Sequence, residues 1–169
     1  ARCLVTGHKG YIGSRLFQRL EELGHKVLGI DLQEEYPKDI INFLNEDYLG
    51  KFHPLYWNFQ PEYIFHLAAM PRVGYSVEYP VETTRNNVMA GSMVLNFARK
   101  VGAKRLIYAG SSSVVGNGNG PESPYALQKL YTEMECRVYS ELYGLDTVTL
   151  RYFNVYSPCQ QAKTAYATA

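Results

Sequence analysis

A tyrosine and a lysine four residues apart, Tyr125 and Lys129 in Ser123-Pro-Tyr-Ala-Leu-Gln-Lys129, can form an acid–base pair. On a helix that spacing puts both side chains on one face. A free phenol titrates near pH ~10. A neighbouring ammonium, or a cationic ring beside it, favours the phenolate and makes the tyrosine a usable general base near neutral pH. With 15 tyrosines in 169 residues, such a spacing also arises by composition. An ordinary surface pair is the bland alternative, so context must decide.

Two further features supply that context. Thr6-Gly-His-Lys-Gly-Tyr-Ile-Gly13 places Gly7, Gly10 and Gly13 where an apolar run gives way to a helical pattern. Gly7 allows a tight turn, Gly10 lets the backbone approach a pyrophosphate, and Gly13 lets the helix pack close to the sheet. The helix that Tyr11 and Ile12 open presents free N–H groups and its positive dipole end to phosphates. Asp31 follows 18 residues after Gly13, at the end of the next strand. A carboxylate there accepts hydrogen bonds from ribose hydroxyls and repels a 2′-phosphate, which favours NAD over NADP. Ser111 begins the run Ser111-Ser112-Ser113 just past a later strand. Its hydroxyl can bond a substrate oxygen whose charge changes as a hydride leaves; a turn-capping serine is the alternative.

The elements that must position these groups alternate. Arg2–Thr6, Lys26–Asp31, Glu62–Ala68, Lys104–Ala109 and Thr147–Arg151 read as strands, with a further one expected at Ile40–Phe43. Tyr11–Leu23, Tyr48–Phe59, Val81–Val101 and Ser123–Tyr143 read as helices. Val88, Gly91, Val94, Leu95 and Ala98 face inward on the third of these. This order implies an α/β fold, a doubly wound parallel sheet with helices on both faces.

Composition narrows the function classes. Hydrophobic content of 46%, charged content of 20% and a net charge of +1 are ordinary for a globular chain of about one domain. They give no sign of nucleic acid or an anionic membrane as partner. Three widely spaced cysteines show no metal-ligand pattern and no disulfide framework, which fits a cytoplasmic location. No segment reaches the ~18 apolar residues of a membrane span.

The ordered set of Gly-x-x-Gly-x-x-Gly, Asp31, His66-Leu-Ala-Ala69, Ser111-Ser-Ser-Val-Val-Gly116, Tyr125-x-x-x-Lys129 and Arg151-Tyr-Phe-Asn-Val-Tyr156 resembles the extended short-chain dehydrogenases/reductases. Within them it looks most like the NAD-dependent nucleotide-sugar epimerases and dehydratases, over nearly the whole chain. The resemblance implies a Rossmann-type NAD-binding domain over 1–156 with Ser111, Tyr125 and Lys129 catalytic. It implies that Ala68 and Ala69 line the adenosine side, that Asn86 sits near the cofactor, that Asp47 approaches the adenine and that Tyr152 lies near the nicotinamide. Ser112, Ser113 and Asn154 would contact the substrate, Asn154 near its diphosphate. His66 reads better as a structural histidine than as an acid or base.

Related 4,6-dehydratases carry an Asp-Glu pair where this chain has Ser112 and Ser113, which favours a 4-epimerase of UDP-sugars. A 4,6-dehydratase, a 4-ketoreductase or a non-catalytic NAD-binding fragment are the alternatives. Family members usually have a longer loop between Gly116 and Tyr125 and a glycine in place of Ser157. Their C-terminal substrate domain is expected to be largely absent here, with 157–169 at its start. The two long helices imply a homodimer.

Overall fold

A computed structural model describes residues 1–31 and 53–156. Five strands form one parallel sheet: β1 (Arg2–Thr6), β2 (Lys26–Ile30), β3 (Tyr63–His66), β4 (Arg105–Ser111) and β5 (Thr147–Tyr152), in the order β2-β1-β3-β4-β5. The chain order reverses between β1 and β3, and the crevice outside their carboxyl ends is where such sheets take ligands.

The strands are apolar on both faces, as buried parallel strands must be. Along β1, Cys3 and Val5 join Leu20 of α1 (Tyr11–Glu22) in one cluster, while Leu4 enters the other. Along β3, Tyr63 and Phe65 pack against the first cluster and Ile64 belongs to the second. Helices therefore cover both faces, in agreement with the expected architecture.

The second, larger cluster is closed by two helices that follow β3 and β4. A short α2 (Pro54–Phe59) contributes buried Tyr56, whereas Trp57 stays partly exposed. A helical turn not foreseen from the sequence, α3 (Val73–Glu78), precedes α4 (Pro80–Thr84). From α4 the chain runs through a π turn at Arg85–Met89 into α5 (Ala90–Val101), so the expected helix over 81–101 is one rod with a local widening. The widening turns Asn87 inward at 3% exposure and leaves Val88 only half-buried, where Val88 had been expected to face the core. Finally α6 (Pro124–Tyr143) crosses back to β5.

Strand ends shift for identifiable reasons. β3 stops at His66 because Ala68 N–H turns aside to Thr6 Oγ1 (3.2 Å), while Leu67 N–H still reaches the Thr6 carbonyl (3.2 Å). β4 runs on to Ser111, paired with Tyr152, so Ser111 is the last strand residue rather than the first beyond it. The expected strand at 40–43, the start of the helix expected from Tyr48, Asp47, Ser157 and the segment 157–169 lie outside the described residues. Among the described residues no helix is long and apolar enough to cross a membrane.

Phe97 has no exposed surface and sits in the middle of the larger cluster. Phe97→Ala is expected to cost about 3–5 kcal/mol through lost transfer energy and an unfilled cavity, read as a lower urea midpoint at unchanged slope.

Candidate active site

The turn after β1 is set by two contacts that exclude side chains. Gly7 has φ +74°, and a Cβ on it would lie 2.8 Å from Ala68 N. A Cβ on Gly13 would lie 2.0 Å from the Gly7 carbonyl oxygen. Only glycine fits both places. Gly7 N–H donates to the Ile30 carbonyl (2.7 Å) and Gly10 N–H to the Gly7 carbonyl (3.0 Å). Gly10 caps α1 without a side-chain hydrogen bond, so the first turn, with Tyr11, Ile12 and Gly13, presents backbone at the crevice. Asp31, at 9% exposure, accepts the Lys9 backbone N–H at 2.9 Å and ties the end of β2 to the same turn. Ala68 and Ala69 face it across the crevice from the end of β3, both half-buried.

Next to this cradle stands a row of buried polar groups. Register pairs Thr6 with His66 and His66 with Tyr108, all on one face of the sheet. Thr6 Oγ1 lies 2.7 Å from His66 Nδ1, and the His66 ring stacks on Tyr108 with centroids 5.7 Å apart. Burial, with a smaller repulsion from Lys129, lowers the His66 pKa to about 3. The imidazole is thus neutral and structural, as the sequence suggested.

Lys129 rises from α6 over this row. Its Nζ donates to the Ala109 carbonyl at 2.8 Å and lies 5.0 Å from the Tyr108 ring centroid and 5.9 Å from that of Tyr125. At 4% exposure, burial lowers its pKa to about 8. Burial raises the Tyr125 pKa, and the nearby Ser111 hydroxyl only partly offsets this. The sequence argument expected the lysine to favour the phenolate; in the chain alone desolvation outweighs it, and the phenol stays protonated.

Ser111 Oγ is 2.8 Å from Ser113 Oγ and accepts the Ser113 N–H (3.2 Å), which starts the 3₁₀ turn Ser112–Val115. Tyr152, paired with Ser111 at the end of β5, is half-buried. Asn154 is exposed two residues on. Ser111 and Tyr152 thus end β4 and β5 side by side, with Lys129 bound at Ala109 and the Tyr125 ring beside its amine. Asn86 is turned along its own helix, its Nδ2 donating to the Glu82 carbonyl (2.9 Å).

Asn87 and Gln128 are the functional neighbours that sequence reasoning missed. The Asn87 side chain grips both backbone groups of Met70, accepting its N–H (2.7 Å) and donating to its carbonyl (3.1 Å). It also donates to Gln128 Oε1 (2.8 Å). The loop beyond Ala69 is thereby clamped to the helix that carries Lys129. No local spacing flags either residue, because each acts through a partner far along the chain.

Comparison with known proteins shows the family and the fold. Residues 3–168 match the sequence model of the NAD dependent epimerase/dehydratase family. The UDP-N-acetyl-alpha-D-glucosaminuronate decarboxylase of Bacillus cytotoxicus is 33% identical, over 93% of this chain and 55% of its own length. The UDP-glucose 4-epimerase of Thermotoga maritima, solved with UDP-glucose, superposes with a TM-score of 0.84 at 28% identity, covering 99% of this chain and 60% of that one. The Thermus thermophilus UDP-glucose 4-epimerase, solved with NAD, gives 0.81 at 30% identity, over 98% and 59%. The chain therefore spans little more than half the length of the relatives it matches.

An unfolded histidine titrates near pH ~6.5. Between that value and about 3 the unfolded chain binds one more proton than the folded one at His66. Stability should rise with pH across this window, by about 1.4 kcal/mol per unit from this residue, and His66 should add no slope above it. Urea denaturation of wild type and His66→Gln at pH 4 to 8 is expected to show a difference in slope confined to the acid side.

Proposed function

This chain belongs to the NAD-dependent epimerase/dehydratase family, and from that premise we propose a nucleotide-sugar 4-epimerase that acts on a UDP-sugar through a transient 4-keto sugar. The observation that carries the reading is Lys129, buried and bonded to the Ala109 carbonyl two residues before Ser111 at the end of β4, with the Tyr125 ring beside its amine. The cradle of Gly7, Gly10 and Gly13 with Asp31, Ala68 and Ala69 suits a dinucleotide, because it combines an uncapped helix start, space that only hydrogen leaves open and a buried carboxylate. NAD bound there would take a hydride from the sugar C4 and return it.

The chain's own groups would handle the proton. Tyr125 would accept it from the sugar 4-hydroxyl once a neighbouring positive charge offsets the burial of its phenol. Ser111, at the end of β4, would hold the 4-oxygen. Lys129, mostly charged at neutral pH with a pKa of about 8, would hold a ribose hydroxyl and favour the ionised tyrosine. Asp31 would receive the adenosine ribose. Tyr152 would flank the nicotinamide, Asn86 the cofactor, Ser112 and Ser113 the sugar and Asn154 the diphosphate. Two hydroxyls at 112 and 113 cannot act as carboxylic acids, so water removal from the sugar lacks its acid there. This supports epimerisation over dehydration.

A homodimer belongs to the same proposal. α5 and α6 lie side by side, joined by Ser92 Oγ donating to Glu135 Oε2 (2.8 Å). Their outer surface carries Met89, Leu127, Tyr131, Met134, Val138 and Leu142, all exposed. On α6 they recur at steps of three and four, a stripe suited to packing against a second helix pair. A cytoplasmic location is part of the reading too, supported by the free thiols of Cys3 and Cys136.

Two experiments test this. An NMR time course with NAD and UDP-glucose, UDP-N-acetylglucosamine or UDP-glucuronate should show the 4-epimer without net reduced cofactor. Tyr125→Phe should slow it by about 10² or more. No product with NAD binding retained would leave a cofactor-binding module instead. Light scattering should give twice the chain mass, and Met134→Glu with Val138→Glu the mass of one chain; a wild-type monomer would remove the dimer.

A further inference from the structure

We infer that Ser76 is a positioning residue for Tyr125, holding the first turn of the catalytic helix and with it the phenol. Every helix start leaves N–H groups without partners inside the helix. At the start of α6 most are accounted for locally. Pro124 has no N–H. Ser123 Oγ accepts from Ala126 N–H (3.1 Å), and the Ser123 carbonyl accepts from Leu127 N–H (3.0 Å). Inside the cap, the donor left over is the backbone N–H of Tyr125 itself. It donates to Ser76 Oγ at 3.0 Å.

The acceptor is held as firmly as the donor. Ser76 has no exposed surface, and its hydroxyl proton is committed to the Val73 carbonyl at 2.7 Å. That leaves a lone pair directed at Tyr125. α3 is too short to be rigid alone, so its flanks matter. Upstream, Met70 is gripped by Asn87. Downstream, Thr83 Oγ1 donates to the Tyr79 carbonyl (3.1 Å) and accepts from Gln128 Nε2 (2.9 Å). Asn87 and Gln128 bond each other. The segment between β3 and α4 is therefore fixed to α6 at both ends, with Ser76 as the middle tie, at the catalytic residue. A buried N–H without an acceptor is costly, so loss of the hydroxyl should shift the turn rather than leave it in place.

Only Ser or Thr gives a hydroxyl that accepts from Tyr125 and donates to Val73. Because Ser76 touches the backbone of Tyr125 and none of the reacting groups, its effect must pass through the tyrosine. The catalytic meaning rests on Tyr125 as the base proposed above; the positional effect is measurable without turnover.

The test uses the chain with tyrosine labelled at ¹³Cζ, the Tyr125 resonance being assigned by its loss in Tyr125→Phe. This carbon reports the hydrogen bonding of its own phenol. Ser111→Ala, which removes the neighbouring hydroxyl, defines the shift of a phenol that has lost that neighbour. Ser76→Ala is expected to move the Tyr125 resonance in that same direction, Ser76→Thr to leave it near wild type. Ser92→Ala, a half-buried tie of similar chemistry between α5 and α6, should not move it. Where turnover is observed, Ser76→Ala should lower kcat by roughly tenfold or more with KM within about twofold. A Tyr125 resonance unmoved in Ser76→Ala, while Ser111→Ala moves it, overturns the assignment. If Ser76→Ala does not fold, Ser76→Cys, with similar volume and a weak acceptor, takes its place. Failure of both to fold would make Ser76 a general packing residue and overturn the assignment as well.

Discussion

The ligand end of the sheet depends on how closely two backbones meet at Gly7. Its N–H is bound to the end of β2, and the space a side chain would need is taken by Ala68 after β3. β1 therefore leaves the sheet in a slot between its two neighbours. α1 can start directly above that slot only because Gly13 also lacks a side chain. Once the turn is held there, Lys9 N–H falls within reach of Asp31. Three glycines, an acid and an alanine pair, far apart in the sequence, thus act as one unit. The left-handed backbone at Gly7 costs little because glycine has no Cβ to clash there.

The electrostatics of the site follow from burial more than from pairing. Lys129 is almost fully buried with a backbone carbonyl and an aromatic face as partners. These favour the cation but do not cancel the loss of water, and the amine falls to about 8. A second cation close by would make that worse, which is why a neutral His66 suits the row beneath it. The same desolvation raises the phenols of Tyr108 and Tyr125. Burial thus favours the protonated tyrosine, and positive charge brought beside it would favour the phenolate. The pair is an acid–base device only in company, which is the physical reason a Tyr-x-x-x-Lys spacing means little without a cradle for a cationic partner.

Much of this was legible in the sequence because it depends on local chemistry. The glycine spacing, the strand runs to within two residues of their observed ends, and the helices expected from Tyr11 and Ser123 all follow from short-range patterns. The long helix was legible in extent but not in phase. A π turn at Arg85–Met89 inserts Asn87 where regular spacing points to Val88. α3 was invisible because six residues bounded by an arginine and a tyrosine carry too little periodicity to read. The ties of Asn87, Gln128 and Ser76 were invisible for another reason. Each joins residues more than 15 positions apart, and no spacing rule encodes a hydrogen bond across the fold. The direction of the Tyr125 shift also required burial, a property of the packed structure.

α6 brings these strands of argument together. Its inner face is lined by Tyr125, Gln128, Lys129, Thr132 and Cys136, all buried. Its outer face is apolar as well, with Leu127, Met134 and Leu142 well exposed. A helix with apolar residues on both sides is either interior or an interface. The polar members of the inner face explain why the sequence shows no one-sided pattern there: the chemistry sits where the apolar stripe of an ordinary surface helix would be. Its apolar outer side then needs another explanation, and association of two copies supplies it without touching the reacting groups. Packing on that side would stiffen the rod along most of its length. Its first turn would still depend on what holds it locally, namely the cap at Ser123 and the tie to Ser76. The position of one phenol thus rests on a few buried hydroxyls at the helix start more than on the mass of the core.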